Sequence, residues 1–217
     1  MPPLASCGIA WLEPWLPLVA LAAALVVLRP LVLSPRLRRV GSPAPDVVSL
    51  AALLADGRYR GVPVREEPAG PYGGGRWVAG WGEIRLARGM LARRDVDALM
   101  ILEHERGHAA VDLPAPRAYR LVLVGAFLLA LALGLNGRLE PRASTSLMLA
   151  TYLVAALHVM RNEWAASSYA LRLARGWPAP LRREAFARLG AAYGVYVAEW
   201  ALLGLGVLVL AAVVYCR

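Results

Sequence analysis

Residues 95–111 read DVDALMILEHERGHAAV, and two of the three histidines of the chain fall within them. Asp95 is a residue type that favours helix N-caps, and the pattern behind it predicts a helix that runs to about Val111. His104 and His108 are four residues apart in this helix, so their imidazoles project from one face and can reach one ion. The stretch therefore predicts a helix that presents two metal ligands.

The segment from His104 to His108 also matches the HExxH pattern of zinc hydrolases. Zinc with three protein ligands keeps a fourth position for water, and it lowers the pKa of that water to about 7. Glu105 is offset from the two histidines around the helix, so it can take a proton from this water without binding the metal. The segment predicts a Zn2+ cofactor with Glu105 as general base. The competing interpretation is a charged helix surface with a coincidental spacing.

The composition of the chain indicates a membrane protein. Hydrophobic residues make up 59% of its 217 residues and the mean hydropathy is +0.50, which is more than a soluble domain needs. Four apolar segments each approach the roughly 20 residues that span a bilayer. These segments are Trp15–Leu33, Tyr119–Leu135, Ser146–Met160 and Tyr193–Tyr215.

The basic residues indicate an orientation. The formal net charge is +9, and all 24 basic residues are arginines. They concentrate in Pro35–Arg117 and Arg161–Arg188, whereas the loop Asn136–Thr145 holds only two. The positive-inside rule places both arginine-rich connections in the cytoplasm, so the histidine pair and the end of the third apolar segment share one side. No recognition helix or stacking platform accompanies the charge, and no nucleic acid partner is expected.

The connection Pro35–Arg117 has the patterns of a small soluble part. It combines helical periodicity, a short strand, a glycine-rich turn or lid, and two strands around a Gly-Trp-Gly turn. In chain order these are Asp46–Asp56, Val62–Val64, Pro68–Gly75, Arg76–Gly80 and Glu83–Leu86.

A third metal ligand has to come from another part of the chain. Glu163 follows the third apolar segment directly, so it is the acidic residue most naturally delivered to the cytoplasmic end of that segment. Glu199, near the start of the fourth segment, is the competing candidate. Asp112 is a weaker one, because it lies beyond the second histidine on the same helix.

The run GEIRLARGMLARRDVDALMILEHERGHA, residues 82–109, resembles the strand and the HExxH helix of membrane-embedded gluzincin peptidases. These are the HtpX and CAAX-protease group and the YugP-like neutral zinc metallopeptidases. Glu163-Trp-Ala-Ala-Ser167 resembles the glutamate-ligand motif that follows two membrane helices in them, over about residues 60–175 in all. The resemblance implies zinc ligands His104, His108 and Glu163, with Glu105 as general base. Ser167 fits the YugP-like pattern, whereas HtpX-like members usually have Asp there.

The resemblance also implies how a substrate would bind. In gluzincins an extended substrate usually pairs with an edge strand beside the active-site helix, and Trp77, Val78 and Ala79 are the residues expected to do this here. A tetrahedral intermediate needs a further hydrogen-bonding or positive group. The candidates near the expected site are Tyr169 and Arg172, with His158 and Tyr193 as alternatives.

The expected fold is a mainly α membrane protein with about four transmembrane helices and a small α+β zincin-like cytoplasmic domain that carries the HExxH helix. Residues 1–34 form the N-terminal anchor and residues 35–118 the catalytic part. A transmembrane hairpin (119–160), the third-ligand region (161–192) and a C-terminal transmembrane helix (193–217) follow.

The expected function is that of a zinc metalloendopeptidase in the cell membrane, with its active site on the cytoplasmic side. Its partners would be the lipid bilayer and membrane or misfolded protein substrates, and the sequence predicts no oligomeric state. One alternative is a catalytically silent metal-binding sensor or scaffold, which would not need Glu105. Another is a transporter with His158 and Glu199 on its path, although no inverted repeat is visible.

Overall fold

The computed structural model describes residues 13, 15–29, 31, 41–43, 50–55, 62–68, 74–111 and 117–215. These residues are mostly helical and include one three-stranded sheet. The helices are α1 (Leu16–Leu28), α2 (Leu50–Ala55), α3 (Val96–Val111), α4 (Arg117–Leu135), α5 (Pro141–Leu173) and α6 (Ala179–Tyr215). The strands are β1 (Val64–Glu67), β2 (Gly75–Val78) and β3 (Glu83–Ala87).

Three helices, α4, α5 and α6, are long and apolar enough to cross a membrane, among the residues that the structure describes. This is compatible with the membrane protein that the composition predicts. The described part of the first apolar segment is α1, whose 13 residues are fewer than the roughly 20 that span a bilayer. The expected fourth span therefore stays a prediction.

The described residues fall into two compact units. The first, which we call the apolar unit, takes them from 1–33, 114–160 and 194–217. Its small core packs Ala130, Met148 and Leu208, and the Ser144 hydroxyl donates to the Ala130 carbonyl oxygen at 2.7 Å. Large side chains such as Leu121 point outward, as expected of helices that face lipid.

The second unit, which we call the polar unit, takes its residues from 34–113 and 161–193. Its sheet has the order β1-β3-β2, in which β1 is parallel and β2 antiparallel to β3. The central strand β3 buries Ile84 and Leu86 against Met100 and Leu102 of α3. Among the described strands β2 pairs only with β3, so it is an edge strand, and it lies beside α3.

Several element boundaries differ from those expected. The first strand begins at Val64 and not at Val62, while α5 continues through Met160 to Leu173 and α6 begins at Ala179. Arginine, asparagine and glutamate change the hydropathy after Met160, but a helix tolerates them, so the change in polarity does not end the helix. The chain nevertheless passes from one unit to the other at 160/161 and at 193/194, where the composition changes. Residues 46–49, 56 and 69–73 of the expected helix and lid lie outside the described residues.

Candidate metal centre

The first turn of α3 is held by a cap and an ion pair. The Asp95 carboxylate accepts a hydrogen bond from the Ala98 backbone N–H at 3.0 Å, which satisfies a donor that the helix leaves free. Arg93 donates twice to the same carboxylate, at 2.7 Å each. Burial tends to raise the pKa of Asp95, but these hydrogen bonds outweigh it and the pKa is lowered. The start of the helix is thereby fixed.

Further along α3, His104 and His108 meet Glu163 of α5. The two Nε2 atoms are 3.1 Å apart, and Glu163 Oε2 lies 3.2 Å from His104 Nε2. Glu163 Oε1 lies 3.6 Å from His108 Nε2. Each of the three side chains is only 12% exposed. This group could hold a metal ion, because one ligand atom of each residue lies within 4.8 Å of the others.

The donor set fits a divalent cation. Two ligands bound tetrahedrally to zinc at about 2.0–2.1 Å would be roughly 3.3 Å apart, close to the separations found here. Glu163 Oε2 is buried, and no side chain or backbone group among the described residues donates a hydrogen bond to it, although His104 Nε2 lies 3.2 Å away. A buried oxygen without a partner costs free energy, and a cation in the group would satisfy it.

A second contact orients one of the imidazoles. The Ser167 hydroxyl of α5 lies 3.2 Å from His104 Nδ1. If His104 binds a metal through Nε2, its Nδ1 carries the proton and donates to the Ser167 oxygen. Ser167 lies four residues after Glu163, so one face of α5 presents both the carboxylate and this hydroxyl.

Glu105 lies on α3 between the two histidines but outside the group of three. Burial raises its pKa, and the backbone N–H of Trp77 donates to its carboxylate. Trp77 belongs to β2, so the edge strand reaches this part of α3. A carboxyl whose pKa is raised and which lies beside a metal group is suited to proton transfer.

The other residues expected at the site are placed as follows. Val78 ends β2, whereas Ala79 lies in the exposed turn after it. Tyr169 and Arg172 lie further along α5, and no contact among the described residues joins them to the group of three. Arg172 is exposed, nine residues after Glu163 and therefore on the opposite face of the helix. Both stay predictions.

The alternative candidates have other neighbours. Glu199 forms an ion pair with Arg29 inside the apolar unit. His158 packs against the Tyr119 ring, with centroids 5.8 Å apart. Tyr193 packs edge-on against Trp164 at 5.7 Å. Asp112 lies outside the described residues.

The amide of Trp77 and a buried ion pair are two features that the sequence analysis missed. Arg188 of α6 lies 3.6 Å from the Asp97 carboxylate of α3, and Arg93 lies 3.3 Å from it. Burial raises the pKa of Asp97 in spite of these two cations. No sequence pattern marks Arg188 among the 24 arginines, so only the fold could have identified it.

No protein-family model matches the chain, and no curated protein and no solved structure gives a match.

Proposed function

We propose that the protein is an integral-membrane zinc-dependent endopeptidase that hydrolyses peptide bonds of membrane or misfolded proteins. The observation that carries the proposal is the convergence of His104, His108 and Glu163, with Glu105 beside them and outside the ligand group. A site that only stores a metal does not need an additional buried carboxyl next to it. A hydrolase does, because a proton has to leave water and reach the departing amine.

In this proposal His104 and His108 bind zinc through Nε2, and Glu163 binds it through its carboxylate. Bound zinc would polarise the scissile carbonyl and lower the pKa of a water molecule. Ser167 holds the proton on His104 Nδ1, which keeps Nε2 free for the metal.

Glu105 moves the proton. Its raised pKa brings the carboxyl closer to the working range of a general base near neutral pH. The Trp77 backbone N–H donates to this carboxylate and helps to hold it in place. Glu105 would take a proton from water as the water oxygen adds to the carbonyl carbon, and would pass this proton to the amine nitrogen as the C–N bond breaks.

The finer description of the fold belongs to the same proposal. The first apolar segment would be a fourth span, and the polar unit would be a small zincin-like domain. Its orientation follows from the arginines of Pro35–Arg117 and Arg161–Arg188, which favour the cytoplasmic side of a cell membrane. Edge strand β2 would pair with an extended substrate through Trp77 and Val78, and Ala79, in the turn after the strand, would be the third residue to contact it.

The test compares the full chain with Glu105→Gln and His108→Ala in detergent, with zinc content and casein cleavage measured on each. Wild type should bind one zinc and cleave. Glu105→Gln should keep the zinc and lose on the order of 10²–10⁴-fold in rate, the usual contribution of a general base. His108→Ala should lose both.

Three outcomes would contradict the proposal. Equal zinc in wild type and His108→Ala would exclude the metal centre. Full cleavage by Glu105→Gln would exclude the mechanism even with zinc bound. Zinc binding without any cleavage by wild type would instead support the silent scaffold.

A further inference from the structure

Gly107 of α3 lies where α3 and α5 touch through their backbones. A Cβ atom built on Gly107 would stand 2.6 Å from the Ala166 carbonyl oxygen, 2.7 Å from its Cα and 3.0 Å from its carbonyl carbon. Carbon atoms that are not bonded pack at about 3.5–4.0 Å. Only glycine therefore fits at this position.

The contact lies next to the candidate metal group on both helices. Gly107 directly precedes His108, and Ala166 is fully buried three residues after Glu163, which is less than one helical turn. The distance between the helix backbones at this point therefore sets how far the Glu163 carboxylate must reach to meet the two imidazoles.

We propose that Gly107 is a positioning residue of the metal centre. The lack of a side chain lets α5 approach closely enough for Glu163 to share an ion with His104 and His108. The inference rests on the proposed metal centre and adds to it the residue that controls its geometry. It requires no contact between Gly107 and the metal.

The size of the effect follows from two distances. Relieving the contacts of a Cβ would separate the backbones by roughly 1 Å. Metal–ligand distances are held to about ±0.2 Å, so the carboxylate would no longer bind well without distortion elsewhere. The clash is with backbone atoms, so no rotamer change in a neighbouring side chain can relieve it.

The experiment measures zinc affinity of the full chain in detergent by competition with a chromogenic chelator. Gly107→Ala should bind zinc about 10- to 100-fold more weakly, the usual effect of changing a residue that supports a metal ligand. Gly190→Ala is the matched control, because a Cβ there meets nothing within 4 Å. Its zinc affinity should equal that of wild type.

Two further variants separate positioning from a general loss of stability. Leu86→Ala opens the buried centre of the sheet, so it should lower thermal stability and leave zinc affinity unchanged. Ala166→Gly, added to Gly107→Ala, should not restore affinity, since the clashing atoms belong to the backbone. Should Gly107→Ala fail to fold, Glu163→Asp shortens the same reach by one methylene and should weaken zinc binding similarly.

The outcomes are distinguishable. If Gly107→Ala binds zinc as tightly as wild type does, the positioning role is wrong although the metal centre stands. The same holds for Glu163→Asp if that variant has to be used. Weakened affinity in Leu86→Ala equal to that of Gly107→Ala would overturn it as well. A wild-type protein that binds no zinc would overturn the proposed function together with this inference.

Discussion

Helix α3 carries buried carboxylates at its first turn and at the candidate metal centre, and the charged groups around these two sets differ. In the first turn, Asp95 and Asp97 lie against Arg93, and Asp97 also lies against Arg188. Toward the other end, Glu105 and Glu163 lie beside the imidazoles of His104 and His108, and no arginine forms an ion pair with either carboxylate among the described residues.

The difference separates structural carboxylates from carboxylates that can bind a cation. With 24 arginines in the chain, guanidinium groups are abundant, and the first turn of α3 uses two of them to offset its buried charge. Buried charges otherwise have to be paired or bind metals. No arginine offsets the Glu163 charge among the described residues, so this carboxylate can bind a metal cation. The following variants test this difference.

Among the variants that test this comparison, Glu163→Gln should have the largest effect, and that effect should be on zinc affinity. The amide keeps the shape of the side chain but removes the charge, so zinc affinity should fall on the order of 100-fold or more. Thermal stability of the metal-free protein should change little. Zinc titration gives the affinity, and a melting curve with chelator present gives the stability. Undiminished zinc affinity would show that Glu163 is not a metal ligand.

Arg188→Met should instead lower the stability of the metal-free protein and leave zinc affinity unchanged. It removes one of two cations from buried Asp97 at similar volume while Arg93 stays, so the metal-free protein should lose about 1–3 kcal/mol of stability and zinc affinity should stay unchanged. The pKa of Asp97 is already raised by burial, and losing Arg188 raises it further. A raised pKa disfavours the charged form in the folded state, so the deficit should be full at neutral pH and shrink in acid as Asp97 takes up a proton.

Melting curves of wild type and Arg188→Met from pH 4 to 8 measure this deficit. A deficit that grows toward acid pH would show that Asp97 is not its source.

Ser167→Ala should have a smaller effect at the centre. The loss of the contact with His104 Nδ1 leaves the ring orientation less fixed, and zinc affinity should fall about tenfold. Ser168→Ala, one position further along α5, is the control and should bind as wild type. Equal affinities in the two variants would mean that Ser167 does not orient the ligand.

Asp95→Asn should have the smallest effect. Asparagine still caps a helix, so the change mainly removes the ion pair with Arg93, at a cost of less than about 1 kcal/mol at neutral pH. The pKa of Asp95 is lowered, so its contribution is present above the unfolded-state pKa and is lost as the pH falls through the folded value. Because this loss lies below the unfolded-state pKa of about 3.9, wild type should lose stability more steeply than Asp95→Asn in melting curves extended from about pH 5 down to about pH 2. Parallel curves would contradict this.

Features encoded within a few neighbouring residues could be predicted from the sequence. Asp95 as a cap and the turn around Trp81 are local patterns, and the helix and strands they predicted end within about three residues of those observed. The coarse prediction that His104, His108 and Glu163 could hold a metal ion is confirmed. The identity of the metal and the activity stay predictions.

Features that depend on two distant segments could not be predicted in this way. The parallel pairing of β1 with β3 and the contact between Gly107 and Ala166 leave no periodic signal. The continuation of α5 past Met160 was missed for a different reason: hydropathy reports where a helix leaves an apolar environment, not where its hydrogen bonds end.

The buried oxygen of Glu163 has a consequence for the life of the protein in a cell. An ion that binds only the folded chain stabilises it by mass action, by about 2.7 kcal/mol when the free ion is at 100 times its dissociation constant. If zinc occupies the centre as proposed, starvation for the metal would increase the unfolded fraction and expose it to degradation. Cellular abundance of this protein would then follow zinc supply without any change in its synthesis.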